Sequence, residues 1–132
     1  MNLKVHHIGY AVYSIDESIA VFKSFGFNLE SDIFDDIKRK VRIVFMSKDG
    51  ARIELVEPIG EDSPVSKFLS KNGASPYHIC YSTDDLHDTI KELTKMRFIQ
   101  ISEIEEAIAL SNKKVVFLYS KAYGILELVE GA

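Results

Sequence analysis

Short runs of alternating apolar and polar residues occur through the first half of the chain, and this alternation predicts β-strands. Residues 5–13, 41–47 and 51–57 show the pattern. The dipeptide Asp49-Gly50 between the last two runs is typical of a tight hairpin turn. We also expect a short edge strand over residues 27–34, followed by a charged turn over residues 35–40.

A helix is predicted directly after the first strand. Ser14 and Glu17 have the spacing of a capping box, and Gly26 stands where a helix commonly ends. The apolar residues between them recur at helical spacing and predict one buried face, formed by Ile15, Ile19, Phe22 and Phe25. The order of elements in this half of the chain is therefore β-α-β-β-β.

The same pattern starts again near residue 76. It follows a connector, residues 58–75, in which Ser63 and Pro64 predict the start of another helix. Beyond the connector, three apolar helix positions lie 71 residues after their counterparts, which makes Leu86, Ile90 and Leu93 equivalent to Ile15, Ile19 and Phe22. A regular offset of this kind indicates an internal duplication.

The duplication predicts the fold class. We expect a single α+β domain, residues 1–132, in which modules of about 3–57 and about 76–131 each form a βαβββ unit. Their sheets are expected to join edge to edge into one curved mixed sheet. The helices would cover its convex side and leave a cleft for a metal on the concave side.

Each module carries one histidine and one glutamate at matching places. His78 follows His7 by 71 positions, and Glu127 follows Glu54 by 73. Because side chains alternate along a strand, these four are expected to face the cleft while their Ile and Leu neighbours face the helices. A carboxylate within an apolar strand is costly unless it is paired, and a cation is the simplest partner. Imidazoles and carboxylates suit Zn, Ni, Co, Mn or Fe, so we predict one divalent ion per chain, held by His7, Glu54, His78 and Glu127.

Other residues of these types have simpler interpretations. Cys80 is expected to be a small packing residue at the cleft wall, because its counterpart in the first module is a glycine. We interpret the remaining histidines as surface residues and the glutamates that end the two strands as solvated charges, namely His6, His87, Glu57 and Glu130.

Composition narrows the functional classes. The chain has 132 residues, 46% of them hydrophobic and 27% charged, as in ordinary globular proteins. Its net charge of −4 predicts no basic surface for nucleic acid, and its single cysteine excludes an internal disulfide. The start of the chain lacks a signal-peptide pattern, and no apolar run reaches the length of a membrane span. We therefore expect a cytoplasmic protein that binds neither nucleic acid nor membrane.

Four segments of the chain resemble the vicinal oxygen chelate superfamily, which includes glyoxalase I, extradiol dioxygenases, fosfomycin resistance proteins and methylmalonyl-CoA epimerases. They are residues 7–12, 53–69, 78–80 and 126–130, and the epimerase family is the branch they resemble most. The resemblance implies metal ligands at the same four positions. It also implies removal of a proton next to a carbonyl, with Glu127 as the ligand that also moves protons. The implied substrate is a small α-carbonyl or thioester compound, and we expect a homodimer.

One stretch departs from the epimerase pattern. Epimerases carry a second glutamate just before the strand that begins here at Val41, where this chain has Lys38, Arg39 and Lys40. An epimerase needs a base on each face of the carbon, so either Asp36 substitutes or the reaction is not epimerisation. The three cations either bind an anionic substrate or form a solvated turn. Two alternatives stay open within the superfamily: a lactoylglutathione lyase-like enzyme, and a drug-binding protein of the bleomycin-resistance type, which needs no metal.

Overall fold

A computed structural model describes all residues 1–132. The chain has two compact units: residues 7–77 form one, and residues 1–6 together with 78–132 form the other. We call them the first unit and the second unit. No helix in either unit is both long enough and apolar enough to cross a membrane.

The first unit contains a four-strand ladder with helices. Its elements are β1 (Lys4–Ala11), α1 (Ile15–Ser24), β2 (Asn28–Leu29), β3 (Phe34–Asp36), β4 (Val41–Lys48), β5 (Ala51–Pro58) and α2 (Pro64–Asn72). Only the part of β1 from His7 onward belongs to this unit. The strand order is β2-β4-β5-β1, and β3 also pairs with β4. Strand β1 runs parallel to β5, while β4 is antiparallel to β2, β3 and β5.

The second unit repeats this arrangement. Its elements are β6 (Ser75–Thr83), α3 (Leu86–Lys95), β7 (Ile99–Gln100), β8 (Glu105–Ala107), a 3₁₀ turn (Ile108–Leu110), β9 (Lys113–Ser120) and β10 (Gly124–Glu130). Only the part of β6 from His78 onward belongs to this unit. The strand order is β6-β10-β9-β7, with β8 beside β9. Parallel pairing of β6 with β10 matches that of β1 with β5. The predicted βαβββ unit is therefore present twice, with its edge strand divided in two.

Each unit has its own core between helix and sheet. In the first unit the buried apolar residues are Val12, Ile15, Val44, Met46, Ile53 and Leu55, and in the second they are Leu86, Leu93, Phe98, Val116, Leu118, Leu126 and Leu128. Ile19 and Ile90 pack against these clusters at equivalent places and are partly buried. The prediction that Phe25 shares the buried face of α1 is wrong. This residue follows the end of the helix and is 61% exposed.

The edge strand predicted over residues 27–34 is two short strands, because a side chain interrupts the ladder. The Ser31 hydroxyl accepts the backbone N–H of Phe45 at 3.0 Å in place of a strand partner. Ser102, 71 positions later, accepts the N–H of Phe117 at 2.9 Å. The charged turn is correspondingly shorter than expected, since β3 extends to Asp36 and leaves residues 37–40 for the turn.

The strand-end glutamates correct another prediction. Glu57 Oε1 accepts the backbone N–H of Ile15 at 2.7 Å, and Glu130 Oε2 accepts that of Leu86 at 2.8 Å. These donors are the first residues of α1 and α3, whose N–H groups have no partner within the helix. The two carboxylates therefore bind helix N-termini and are not solvated rim charges.

Candidate metal site

In the first unit, a buried histidine and a buried glutamate lie side by side. His7 is on β1 and Glu54 on β5, and the parallel register sets Glu54 beside Gly9 on the face that His7 shares. His7 Nε2 is 3.5 Å from Glu54 Oε1, and the two residues are only 1% and 5% exposed.

The second unit holds the matching pair. His78 is on β6 and Glu127 on β10, where Cys80 is the register partner of Glu127. His78 Nε2 is 3.0 Å from Glu127 Oε1, and both residues are buried. Cys80 is fully buried, as expected for a packing residue. Each unit therefore presents one imidazole nitrogen and one carboxylate oxygen at close range in a dry environment.

A phenylalanine flanks each pair, and sequence analysis did not single out either one. Phe45 is the cross-strand partner of Glu54, and Phe117 that of Glu127. Their rings meet the imidazoles of His7 and His78 edge to face, with centroids 5.3 Å apart in both units. Each phenylalanine therefore covers one side of the adjacent histidine ring. These two phenylalanines recur 72 positions apart, and this recurrence was the signal in the sequence that could have identified them.

The spacing within each pair fits two ligands of one metal ion. Ligand atoms about 2.1 Å from an ion are about 3.0 Å apart at a right angle and about 3.4 Å apart at the tetrahedral angle. The observed nitrogen–oxygen separations are 3.0 and 3.5 Å. Neutral imidazole and carboxylate are also the donor types that divalent transition metals accept. Each pair therefore has the spacing and the donor types of two ligands of one divalent ion.

Comparison with known proteins places the chain in a family. Residues 6–117 match the Glyoxalase/Bleomycin resistance protein/Dioxygenase superfamily. The chain belongs to this superfamily. The methylmalonyl-CoA epimerase of Dictyostelium discoideum, described as mitochondrial, is 32% identical over 130 residues, which span 96% of this chain and 77% of that protein.

Solved structures support the same assignment. A hypothetical protein from Bacillus halodurans has a TM-score of 0.88 and 28% identity over 100% of this chain and 96% of its own. A Streptomyces coelicolor methylmalonyl-CoA epimerase variant, solved with 2-nitronate-propionyl-CoA, has a TM-score of 0.83 and 25% identity over 98% of this chain and 94% of its own. The predicted superfamily and its α+β fold class are confirmed.

The stretch that departs from epimerases is a compact turn with acidic neighbours. Lys40 has a left-handed backbone, with φ of 59°. Its ammonium pairs with Asp62, which lowers the pKa of that carboxyl. Asp35 is held 2.9 Å from Arg42 Nε, and this hydrogen bond raises the pKa of the guanidinium.

Asp36 differs from Asp35 in its burial and in the sheet face on which its side chain lies. It is 7% exposed, and its Oδ1 accepts the backbone N–H of Arg39 at 3.1 Å. Register pairs Asp36 with Val41, which lies on the same face of β4 as Phe45 and therefore on the face that carries Glu54. Within residues 35–40, Asp36 is therefore the acid on the sheet face that carries Glu54.

Proposed function

We propose that this member of the superfamily is a metal-dependent isomerase that acts as a methylmalonyl-CoA epimerase does. It would remove and return the proton on the carbon next to the carbonyl of an acyl-CoA thioester. The observation that carries the proposal is the buried histidine–glutamate pair at ligand spacing, present once in each unit. The epimerase relatives support the substrate class.

The proposed ligands of a single divalent ion per chain are His7, Glu54, His78 and Glu127. The ion, one of Zn, Ni, Co, Mn or Fe, would stabilise negative charge on the substrate oxygens as the neighbouring carbon loses its proton. Glu127 is the proposed base by analogy with the glyoxalase branch of the superfamily, and its carboxylate is buried 3.0 Å from His78 Nε2. Burial of these side chains keeps water away from the carbon while it is deprotonated.

Epimerisation needs a second proton donor on the opposite side of the carbon. We propose Asp36 for this role, since it is the buried acid on the Glu54 face. A single base would return the proton to the side from which it was taken, so the carbon would exchange its proton without inverting. One base suffices in the lactoylglutathione lyase alternative, because there the proton moves between adjacent carbons.

Metal analysis is the first test. Elemental analysis of protein purified without chelator should find about one divalent ion per chain, and none after His7 and His78 are both changed to Ala. A buried imidazolium–carboxylate ion pair could have the same spacing without any metal. Metal-free wild-type protein that gains no stability from added Zn²⁺, Ni²⁺, Co²⁺, Mn²⁺ or Fe²⁺ would support that reading and the drug-binding alternative, and would refute the proposal.

Solvent exchange tests the chemistry. Incubation with methylmalonyl-CoA in D₂O should exchange the proton on the central carbon, followed by NMR, and chiral analysis should show inversion. Glu127→Gln keeps the shape of the side chain but cannot accept a proton at neutral pH, so the rate should fall by about 10²–10⁴-fold. Glu54→Gln is the matched control and should affect metal content more than proton transfer in metal-saturated protein. Exchange by Glu127→Gln at the wild-type rate would remove Glu127 as the base.

Assembly and location complete the proposal. A homodimer is proposed, and sedimentation velocity would measure its mass directly. A cytoplasmic location also stays a prediction, to be checked by fractionation of the source cells.

A further inference from the structure

The phenylalanine beside each histidine–glutamate pair lies on the sheet face that carries the pair. Phe45 on β4 is the register partner of Glu54, and Phe117 on β9 is that of Glu127. Because side chains alternate along a strand, the neighbours of each phenylalanine point to the other face. These neighbours belong to the cores between helix and sheet, and they are Val44, Met46, Val116 and Leu118. Packing between helix and sheet therefore does not account for the two phenylalanine rings.

In the first unit, the phenylalanine contacts a histidine that is two strands away. The strand order is β4-β5-β1, so the strand of Glu54 separates Phe45 from His7. Neighbouring strands lie about 4.8 Å apart, and β4 and β1 are therefore about 10 Å apart. The centroids of the two rings are nevertheless only 5.3 Å apart. The two side chains thus lean toward each other over β5, the strand that carries the carboxylate.

The second unit repeats this contact at the same distance. Strand β10 carries Glu127 and lies between β9 and β6. The ring centroids of Phe117 and His78 are 5.3 Å apart, with an angle of 88° between the ring planes, against 73° in the first unit. Aromatic rings that are nearly perpendicular at this distance attract each other through their quadrupoles. The contact therefore favours one orientation of each imidazole ring.

This orientation is the one that brings the histidine nitrogen to its carboxylate. His7 Nε2 is 3.5 Å from Glu54 Oε1, and His78 Nε2 is 3.0 Å from Glu127 Oε1. A ring that is already held in this way loses less conformational freedom when the nitrogen binds an ion. Residues that orient the ligands of a metal ion commonly change its affinity by about 10–100-fold.

We propose that Phe45 and Phe117 are positioning residues of the metal site, which hold the imidazoles of His7 and His78 in the orientation that places Nε2 for the ion. This inference rests on the proposed function, since it needs a metal ion at the two donor pairs. It assigns part of the metal affinity to two residues that have no ligand atom of their own.

Cobalt binding tests the inference without any substrate. Co²⁺ is titrated into the protein in competition with a chromophoric chelator, and the visible d–d absorption of the loaded protein reports the geometry of the ligands. Phe45→Leu and Phe117→Leu each keep an apolar side chain but remove the ring. Each should raise the Kd for Co²⁺ by about 2- to 13-fold, the contribution of one aromatic pair, and change the d–d spectrum of fully loaded protein. Phe117→Tyr keeps the ring and should bind and absorb as the wild type does.

Phe27→Leu and Phe98→Leu are the matched controls, one in each unit. These two phenylalanines are 71 positions apart and pack on the helix side of the sheet, where their rings contact Phe22 and Tyr123. Urea denaturation should show that the controls lose stability, while their Kd for Co²⁺ and their spectra stay at the wild-type values. Methionine replaces leucine in any variant that does not fold, because its flexible side chain fills irregular space.

Three results would overturn the inference and leave the proposed function intact. One is an unchanged Kd and spectrum in either Phe45→Leu or Phe117→Leu. Another is a pair of controls that weaken Co²⁺ binding as much as these variants, because the effect would then follow from loss of stability. The third is a Phe117→Tyr protein that binds as weakly as Phe117→Leu. Wild-type protein that binds no Co²⁺ would refute the metal site of the proposed function, and this inference with it.

Discussion

The carboxylates at the ends of β5 and β10 should be major local contributors to stability, and Glu130→Gln tests this in the second unit. The Glu130 carboxylate accepts the N–H of Leu86, the first residue of α3, at 2.8 Å. Asp85, the N-cap residue, separately accepts the N–H of Asp88 at 3.0 Å. The substitution therefore leaves the ordinary cap in place and removes only the charge of the second acceptor.

The magnitude follows from the contact. A hydrogen bond to a charged group contributes about 1.5–3 kcal/mol and a neutral one about 0.5–1.5 kcal/mol. A negative charge at a helix N-terminus adds about 0.3–1 kcal/mol. Glu130→Gln should thus lower the free energy of unfolding by about 1–2 kcal/mol. Glu130→Ala, which leaves the Leu86 N–H without this acceptor, should cost about 2–3 kcal/mol.

Urea denaturation followed by circular dichroism measures these losses as shifts in midpoint at constant m-value. Glu57→Gln in the first unit should show a similar loss, because Glu57 accepts from Ile15 and also lies 3.6 Å from Arg42. Exposed Glu103 is the control, and Glu103→Gln should stay within about 0.5 kcal/mol of wild type. A Glu130→Gln protein as stable as this control would refute the capping role.

Three further predictions follow from other contacts. Asp36→Asn should abolish inversion of methylmalonyl-CoA while leaving deuterium exchange measurable, and inversion at the wild-type rate would exclude Asp36 as the second base. Leu55→Ala and Leu128→Ala remove fully buried side chains at equivalent positions, and each should cost about 2–5 kcal/mol in urea melts. Partial burial of Tyr123, with its 2.7 Å bond to the Tyr81 hydroxyl, raises its pKa well above the usual 10.0. The folded state therefore holds this proton more tightly than the unfolded state does. The stability that results is present below pH 10 and is lost as the pH rises further. Absorbance titration of Tyr123→Phe against wild type checks the raised pKa.

The duplication made most of the fold predictable from sequence. Strand alternation, helical spacing and the offset of 71–73 residues together located both units and the residues of both donor pairs. The break in the edge strand was not predictable, because it depends on Ser31 reaching the Phe45 N–H across the ladder. Composition alone does not reveal such a contact between a side chain and a distant backbone group.

The capping glutamates were misjudged for a similar reason. A glutamate that ends a strand is usually solvated, and nothing local to Glu57 or Glu130 indicates a helix N-terminus nearby. The partners are 42 and 44 positions away in sequence. Their recurrence in both modules was a signal, since a solvated charge has no reason to be kept twice at one position.

The two units also separate what the fold requires from what the ligand requires. Features present in both copies are accounted for by the duplicated architecture or by the proposed metal ion. They include the histidine–glutamate pairs, the flanking phenylalanines and the capping carboxylates. Asp36 is present in one copy only: its counterpart 71 positions later is Ala107, which is 3% exposed. One oxygen of the Asp36 carboxylate accepts a hydrogen bond from the turn that follows. In the second unit a 3₁₀ segment forms the corresponding turn and contains no acid. The turn of this fold therefore does not require a buried acid at this position, which is consistent with the role proposed for Asp36. The asymmetry therefore concerns Asp36 alone, since Glu127 has its counterpart in Glu54. It supports the proposal that Asp36 is the second proton-transfer group, with Glu127 as the proposed base.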